Sequence, residues 1–393
     1  MTAVAGSSAG SGGGLRVMFN MGASKSPNIF LCIFAAHSYR GLQAPMLLPA
    51  IIHMRTEIES LGEFGLIEHL TKNNETTQAG TILSIGDDAA VIDQFGRQSV
   101  ITTDLLVEGI HFDLMYTPLM HLGYKAVAVN VSDICAMMAT PTHITLSIAM
   151  SNKVSVEALE EFYEGVYAAC EKFNVDLIGG DTSTAKSGFV ISVTAIGEVA
   201  PDKYVTRTGA QPNDLICVSG TLGAAYLGLQ LLEREKKIFL ENPQIQPDLQ
   251  SQKYLVGRIL KPEPRIDIVE WLQEHGITPT AMIDVSDGLS SELLHICNKS
   301  EVGCLIYEDK IPVHDDARAM ALEFQVGMAA CALNGGEDYE LLFTVKQEDY
   351  EKVAKNHDIS IIGYVTGKAE GANLLTTGGN KHKLTAQGWN AFA

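Results

Sequence analysis

The chain has 393 residues, of which 47 are acidic and 28 basic, for a formal charge of -19. That length can bury the cores of two or three domains, and the acid excess argues against a surface for nucleic acid or an anionic membrane. None of the seven cysteines (Cys32, Cys135, Cys170, Cys217, Cys297, Cys304 and Cys331) forms a CxxC pair. They read as free thiols of a reducing cytosol, so neither a zinc site nor a disulfide framework is expected.

Residues 1–53 stand apart. Ser7 to Gly14 is Ser/Gly-rich, like a flexible tail, and Ile29 to Ala36 is an apolar run of only eight residues, too short to span a bilayer. The segment is expected to be a disordered extension, with Met54 a candidate start for the compact protein. After it, Glu63 to Ile67 opens a helical pattern that ends before Lys72. Strands follow over Thr81 to Ile85, Ala89 to Ile92 and Ser99 to Thr103, the first running into Gly86-Asp87-Asp88 and the third ending on Asp104.

His121 to Met138 has helical periodicity, which places Asn130 and Asp133 on one face. A second helix covers Val156 to Phe173. A strand over Val175 to Ile178 is expected to stop at Gly179-Gly180-Asp181-Thr182, and another strand runs from Phe189 to Ile196. The turn-rich stretch Ala200 to Asn213 marks a boundary, giving domains at 54–200 and 201–393. Beyond it come a strand at Leu215 to Val218, a helix after Gly220-Thr221-Leu222-Gly223, and a polar surface insertion from Glu241 to Ser251. The chain then gives a helix at Ile266 to His275, a strand at Ala281 to Ile283, a helix at Leu289 to Asn298 and a strand at Leu341 to Val345.

Carboxylates recur where these elements end: Asp87 and Asp88, Asp104, Asp133, Asp181, and Asp284 with Asp287. Two unit charges ~4 Å apart repel by about 4 kcal/mol at an effective dielectric of ~20, so such a cluster calls for cations. Hard divalent ions take carboxylate, hydroxyl and phosphate oxygens, and magnesium suits that set. Each Asp beside Gly also has a plainer reading as a turn residue. The Gly220 to Gly223 run enters a helix whose N-terminus favours an anion, or its glycines simply make the turn. There is no GxxxxGK[ST] loop, dinucleotide fingerprint or HRD/DFG pair, so a phosphoryl-transfer enzyme here needs another nucleotide cradle.

The ordered motifs resemble those of bacterial thiamine-monophosphate kinases, in the superfamily of aminoimidazole-ribonucleotide synthetase and selenophosphate synthetase. They are Ile85-Gly86-Asp87-Asp88-Ala89-Ala90, Thr103-Asp104 through His111-Phe112, Lys125 through Asn130-Val131-Ser132-Asp133, and Gly179-Gly180-Asp181-Thr182. Arg207-Thr208-Gly209-Ala210, Asp284-Val285-Ser286-Asp287-Gly288 and Gly335-Gly336-Glu337-Asp338-Tyr339 complete the series. The resemblance implies an α+β, two-domain aminoimidazole-ribonucleotide-synthetase-like fold, and a homodimer formed through the N-terminal domain. It implies several magnesium ions on Asp88, Thr102, Thr103, Asp104, Asp133, Asp181, Asp284 and Asp287, with Asp104, Asp133 and Asp284 catalytic. ATP is then expected at Gly180, Asp181, Arg207 and Ser286, and thiamine monophosphate at His111, Glu337 and Trp389. Taken by themselves, His111 also suits a packing role, Glu337 a turn, Arg207 an interdomain salt bridge and Trp389 a C-terminal core anchor. The reaction implied is direct in-line transfer to thiamine monophosphate, in the cytoplasm. Another synthetase of the superfamily, a metal phosphatase and a noncatalytic nucleotide-binding protein are the alternatives.

Overall fold

Chain order in the computed structural model begins with α1 (Gly62–Thr71), β1 (Thr81–Leu83), β2 (Val91–Ile92), β3 (Gln98–Val107), α2 (Leu119–Ala136), β4 (Thr140–Met150), α3 (Val156–Phe173), β5 (Asp176–Thr184) and β6 (Phe189–Val199). It continues with β7 (Leu215–Ser219), α4 (Ala224–Glu241), α5 (Lys253–Leu260), α6 (Ile266–Glu274), β8 (Ala281–Asp284), α7 (Leu289–Ser300) and β9 (Gly303–Tyr307). Last come α8 (Asp315–Glu323), α9 (Met328–Asn334), β10 (Leu341–Val345), α10 (Tyr350–Val353), β11 (Ile359–Thr366), β12 (Ala372–Leu375) and β13 (Lys381–Lys383). The structure describes residues 56, 61–83, 91–92, 96, 98–201, 203–247 and 249–386. The expectations for residues 1–53, for the Gly86-Asp87-Asp88 loop and for Trp389 lie outside these described residues.

Two larger sheets organise the described chain, as expected for a two-domain α+β protein. One has four strands in the order β3-β6-β4-β5, and the other seven in the order β13-β12-β9-β11-β7-β10-β8. In the four-stranded sheet the alternation along β6 is complete. Phe189, Ile191, Val193 and Ala195 are buried, while Val190, Ser192 and Thr194 between them are only half-buried, which is the period of a strand with one covered face.

Helix α2 explains how the two sheets share a core. Leu122, Val127, Val131 and Ile134 are inaccessible to solvent, and even Lys125, Asn130 and Ser132 are buried. A helix covered all round is an interior helix, and its apolar side chains pack in one continuous cluster with Ile191 and Val193 of β6 and with Met282, Leu341 and Phe343 of the larger sheet. Helix α3 packs beside it. Its start is fixed by Ser155, whose Oγ accepts from Ala158 N at 3.3 Å, and its end by Asn174 in the left-handed conformation.

Several expectations are corrected. β3 does not end at Thr103 but continues through Asp104 to Val107, and β5 does not stop at Ile178 but runs on to Thr184. Both are held in register by neighbouring strands, Asp104 opposite Val193 and Asp181 opposite Ser147, so sheet pairing overrides the acidic stop signals. α4 extends to Glu241, where the expected polar insertion begins. β4 is an additional, interior strand of the smaller sheet; its signal is the alternation Ile144, Leu146, Ile148, Met150. Among the described residues no helix is long and apolar enough to cross a membrane, and the six described cysteines are buried and free.

Candidate active site

Period-two alternation decides which carboxylates meet. Along β3, Thr102 and Asp104 lie on the face towards α2, where Thr102 Oγ1 donates to Asp133 Oδ2 at 2.7 Å. Asn130 Oδ1 accepts the Asp104 backbone N-H at 2.9 Å, while its own Nδ2 donates to Ala126 O at 3.0 Å. Asn130 and Asp133, three apart on the helix, thus grip one strand from one face. From the larger sheet, β8 delivers Asp284, which is 3% exposed and accepts from Ser132 Oγ at 2.7 Å.

These acids share one field. Burial, with repulsion from Asp133 and Glu337 added, pushes the Asp104 carboxyl up to about 6. Burial also raises Asp133, against the opposing pull of Thr102 and Arg207. Asp284 is raised chiefly by burial and next by Asp133, and Glu292 is pushed to about 8, again first by burial. The groups are crowded enough to resist ionising together, which is the condition a bound cation relieves.

A cavity of about 480 Å³ opens beside them, lined by Thr102, Asp133, Asp284, Thr206, Arg207 and Lys299 together with apolar residues such as Val100 and Met282. Arg207 supplies positive charge there, opposing the upward shifts of Asp133, Asp284 and Asp287. The lining therefore combines acidic, basic and apolar side chains.

Behind Asp284 the chain makes a tight double loop. Glu337 N donates to Ser286 O at 2.7 Å, and Tyr339 N to Val285 O at 2.9 Å. Glu337 and Tyr339 both hold positive φ, 61° and 52°, a conformation non-glycine residues seldom adopt and one that a crowded site must over-determine. Gly336 permits the crossing, since a Cβ there would stand 2.5 Å from Ser286 O. The loop carries Glu337 to an ion pair with Lys125 Nζ. His111 lies within the same field: burial lowers its pKa first, Glu337 raises it and Lys125 lowers it. His111 Nδ1 accepts from Val107 N at 3.0 Å.

Thr102, Asp104, Asp133, Asp284, Asp287, Arg207, Ser286, His111 and Glu337 are thus brought into one region. Three expected residues are not. Thr103 alternates to the other face of β3, where its hydroxyl donates to Val193 O and accepts from Thr194 Oγ1. Asp181 is in register with Ser147, Ser192 and Leu105 on that same outer face. Gly180 and Asp181 also sit on β5, three strands across from β3, or roughly 14 Å at ~4.8 Å per strand. Asp88 and Trp389 lie outside the described residues. The N-terminus of α4 is already occupied by a side chain of this chain: Gly223 N donates to Asp338 Oδ2 at 2.7 Å and Ala225 N to Oδ1 at 3.4 Å. Residue-type reasoning missed Lys125, Ser132, Glu292 and Lys299. For Lys125 and Ser132 a signal existed, since they share a helix stripe with Asp133.

Among the described residues no three His, Cys, Asp or Glu side chains form a closed metal-binding group. The donor set nonetheless fits magnesium, which uses one or two carboxylates and completes its shell with water and substrate phosphate. The crowding of Asp104, Asp133 and Asp284 is the specific sign of that fit.

Comparison with known proteins agrees with this construction. The family model for AIR synthase related protein, N-terminal domain, matches residues 86–199. The thiamine-monophosphate kinase of Bacillus subtilis (strain 168) is 34% identical over 338 residues, which cover 84% of this chain and 100% of that protein. The solved thiamine-monophosphate kinase of Stenotrophomonas maltophilia K279a superposes with TM-score 0.68 at 32% identity, over 83% of this chain and 98% of that one. AaThiL complexed with AMPPCP and TMP gives TM-score 0.64 at 32% identity, over 87% and 100%. Two sheets joined through an interior helix, with acids gathered at the join, define an α+β protein of the aminoimidazole-ribonucleotide-synthetase type. Its sequence relationships narrow that class: the chain belongs to the thiamine-monophosphate kinase family. ATP-dependent kinase chemistry follows from that membership.

Proposed function

We propose that the chain transfers the terminal phosphoryl group of ATP to thiamine monophosphate, giving thiamine diphosphate by direct in-line attack. The observation that carries this reading is the cavity with Asp133 and Asp284 in its wall and Arg207 lining the same space. The acceptor is itself a phosphate, already substantially ionised near neutral pH, so no general base is required. The difficulty is bringing two anions together.

Asp104, Asp133 and Asp284 would hold magnesium, with Thr102 and Asp287 at the margin and Asp88 and Asp181 as further carboxylates. Magnesium, when bound, supplies the positive charge that screens and aligns the two phosphates. Thr102 and Ser132 orient their carboxylates by donated hydrogen bonds, fixing the lone pairs before substrate arrives. Arg207 takes nucleotide phosphate with its forked N-H groups, beside Ser286. His111, whose pKa is lowered by burial and whose Nδ1 accepts from Val107 N, stands on the acceptor side. Glu337 completes the acceptor side.

The same reading includes a homodimer. Ile101 and Leu105 alternate outward from β3 and are 66% and 54% exposed, and Asp181 shares the row of Leu105. A second copy packed on this face would cover the apolar residues and bring Asp181 to a composite site. The deciding experiment is a coupled assay with purified protein, ATP, magnesium and thiamine monophosphate. Stoichiometric ADP and thiamine diphosphate are expected; ATP binding without product would overturn the reading.

A further inference from the structure

The buried end of an ion pair is left without a task by the mechanism above. Lys125 is 3% exposed as a side chain, while its partner Glu337 is 27% exposed and reaches the site. An ammonium so deeply buried in an interior helix is costly unless paired. On α2, Lys125, Ser132 and Asp133 fall seven and eight residues apart, one stripe of a helix. Ser132 holds Asp284 and Asp133 lines the cavity, so the stripe serves the site along its length.

Glu337 needs holding. Its backbone has positive φ, and its N-H is donated to Ser286 O. Its charge presses on Asp104, Asp287 and His111. Without a counter-charge it would repel the anionic acceptor it is meant to help seat, and would move towards any cation on Asp104.

We propose that Lys125 is a positioning residue for the acceptor half of the reaction, its ammonium fixing the Glu337 carboxylate beside His111 and cancelling the repulsion Glu337 exerts on incoming phosphate. The proposal rests on the thiamine monophosphate reading for the identity of the acceptor. A plain strut between α2 and the 335–340 loop is the competing role, and it differs in what it does to kinetics.

The test uses full-length K125M, K125R, E337Q and K125M/E337Q, with ATP and thiamine monophosphate varied separately. K125M should raise KM for thiamine monophosphate about tenfold, a scale reached by removing one member of a desolvated charge pair, and leave KM for ATP unchanged within about twofold, the ordinary reach of a distant site. K125R should recover most of the loss. Because Lys125 acts through Glu337, E337Q and K125M/E337Q should be alike, and this comparison decides the matter even if K125M alone fails to fold. Multiplying effects, or equal rises in both KM values, would overturn the proposal. If wild-type protein makes no thiamine diphosphate, the acceptor reading falls and a Mn²⁺ titration followed by electron paramagnetic resonance judges Lys125 independently. K125M should then bind Mn²⁺ more tightly than wild type, with K125M/E337Q returning to the wild-type value; unchanged affinity in K125M would refute the role.

Discussion

Asp133 accepts from Thr102, lines the cavity and shares its field with Asp284, so its negative charge matters more than its shape. Asp133→Asn keeps the shape and removes the charge. At saturating magnesium kcat should fall by about two orders of magnitude, the upper end of what perturbing a metal site costs, with an unchanged circular dichroism spectrum. Normal turnover would remove Asp133 from the mechanism. At this scale the candidate residue types are legible in the sequence, because isolated acids beside small residues are conspicuous in a chain read for phosphate chemistry. The sequence alone does not say which acids meet. Thr102, Thr103 and Asp104 are consecutive, yet only the first and third face α2, and that follows from β3 continuing past Thr103 in register with β6. The role of Lys125 is not legible in the sequence either, since a lysine's partner 212 positions away cannot be read from local pattern.

Among the elements, the close approach of β5 to β4 offers a sharp local test. A Cβ on Gly180 would lie 1.7 Å from Leu146 O, a backbone atom that cannot rotate aside. Gly180→Ala should therefore lower stability by about 1–3 kcal/mol, the usual cost of forced overpacking, seen as a lower urea midpoint. A wild-type midpoint would show that β5 has room to shift. Gly180 thus has a packing reason for its identity beside any role in binding nucleotide. The turn before α4 gives a second case. Asp338 is fully buried and accepts from Gly223 N and Ala225 N, while Arg258 donates to its carbonyl oxygen at 2.8 Å. Replacing it with Ala leaves two buried N-H groups without their acceptor, each worth about 1–3 kcal/mol when unsatisfied. Thermal unfolding of Asp338→Ala should begin well below that of wild type; an unshifted melt would mean that water or phosphate can occupy the helix end after all. Glycines before an apolar run announced this helix in the sequence. That its N-terminus was already filled depended on Asp338, more than a hundred positions later, and was invisible locally.

For the whole molecule, the outer face of the four-stranded sheet poses the largest question. α2 and α3 cover one face, while the other exposes Ile101 and Leu105 and carries Asp181 in the Leu105 row. Apolar residues on a sheet face left uncovered among the described residues suit a two-fold contact, where one patch meets its own copy. Leu105→Lys sets two like charges against each other across such a contact. Sedimentation should show a dimer for wild type and a monomer for the variant. Leu105 points away from Asp104, Asp133 and Asp284, so a site complete within one chain should keep its kcat in the monomer. A site that draws Asp181 from the second copy should lose it, and activity should return as protein concentration is raised and the weakened dimer re-forms. Full activity in a proven monomer would confine catalysis to the cluster around α2 and leave Asp181 outside it.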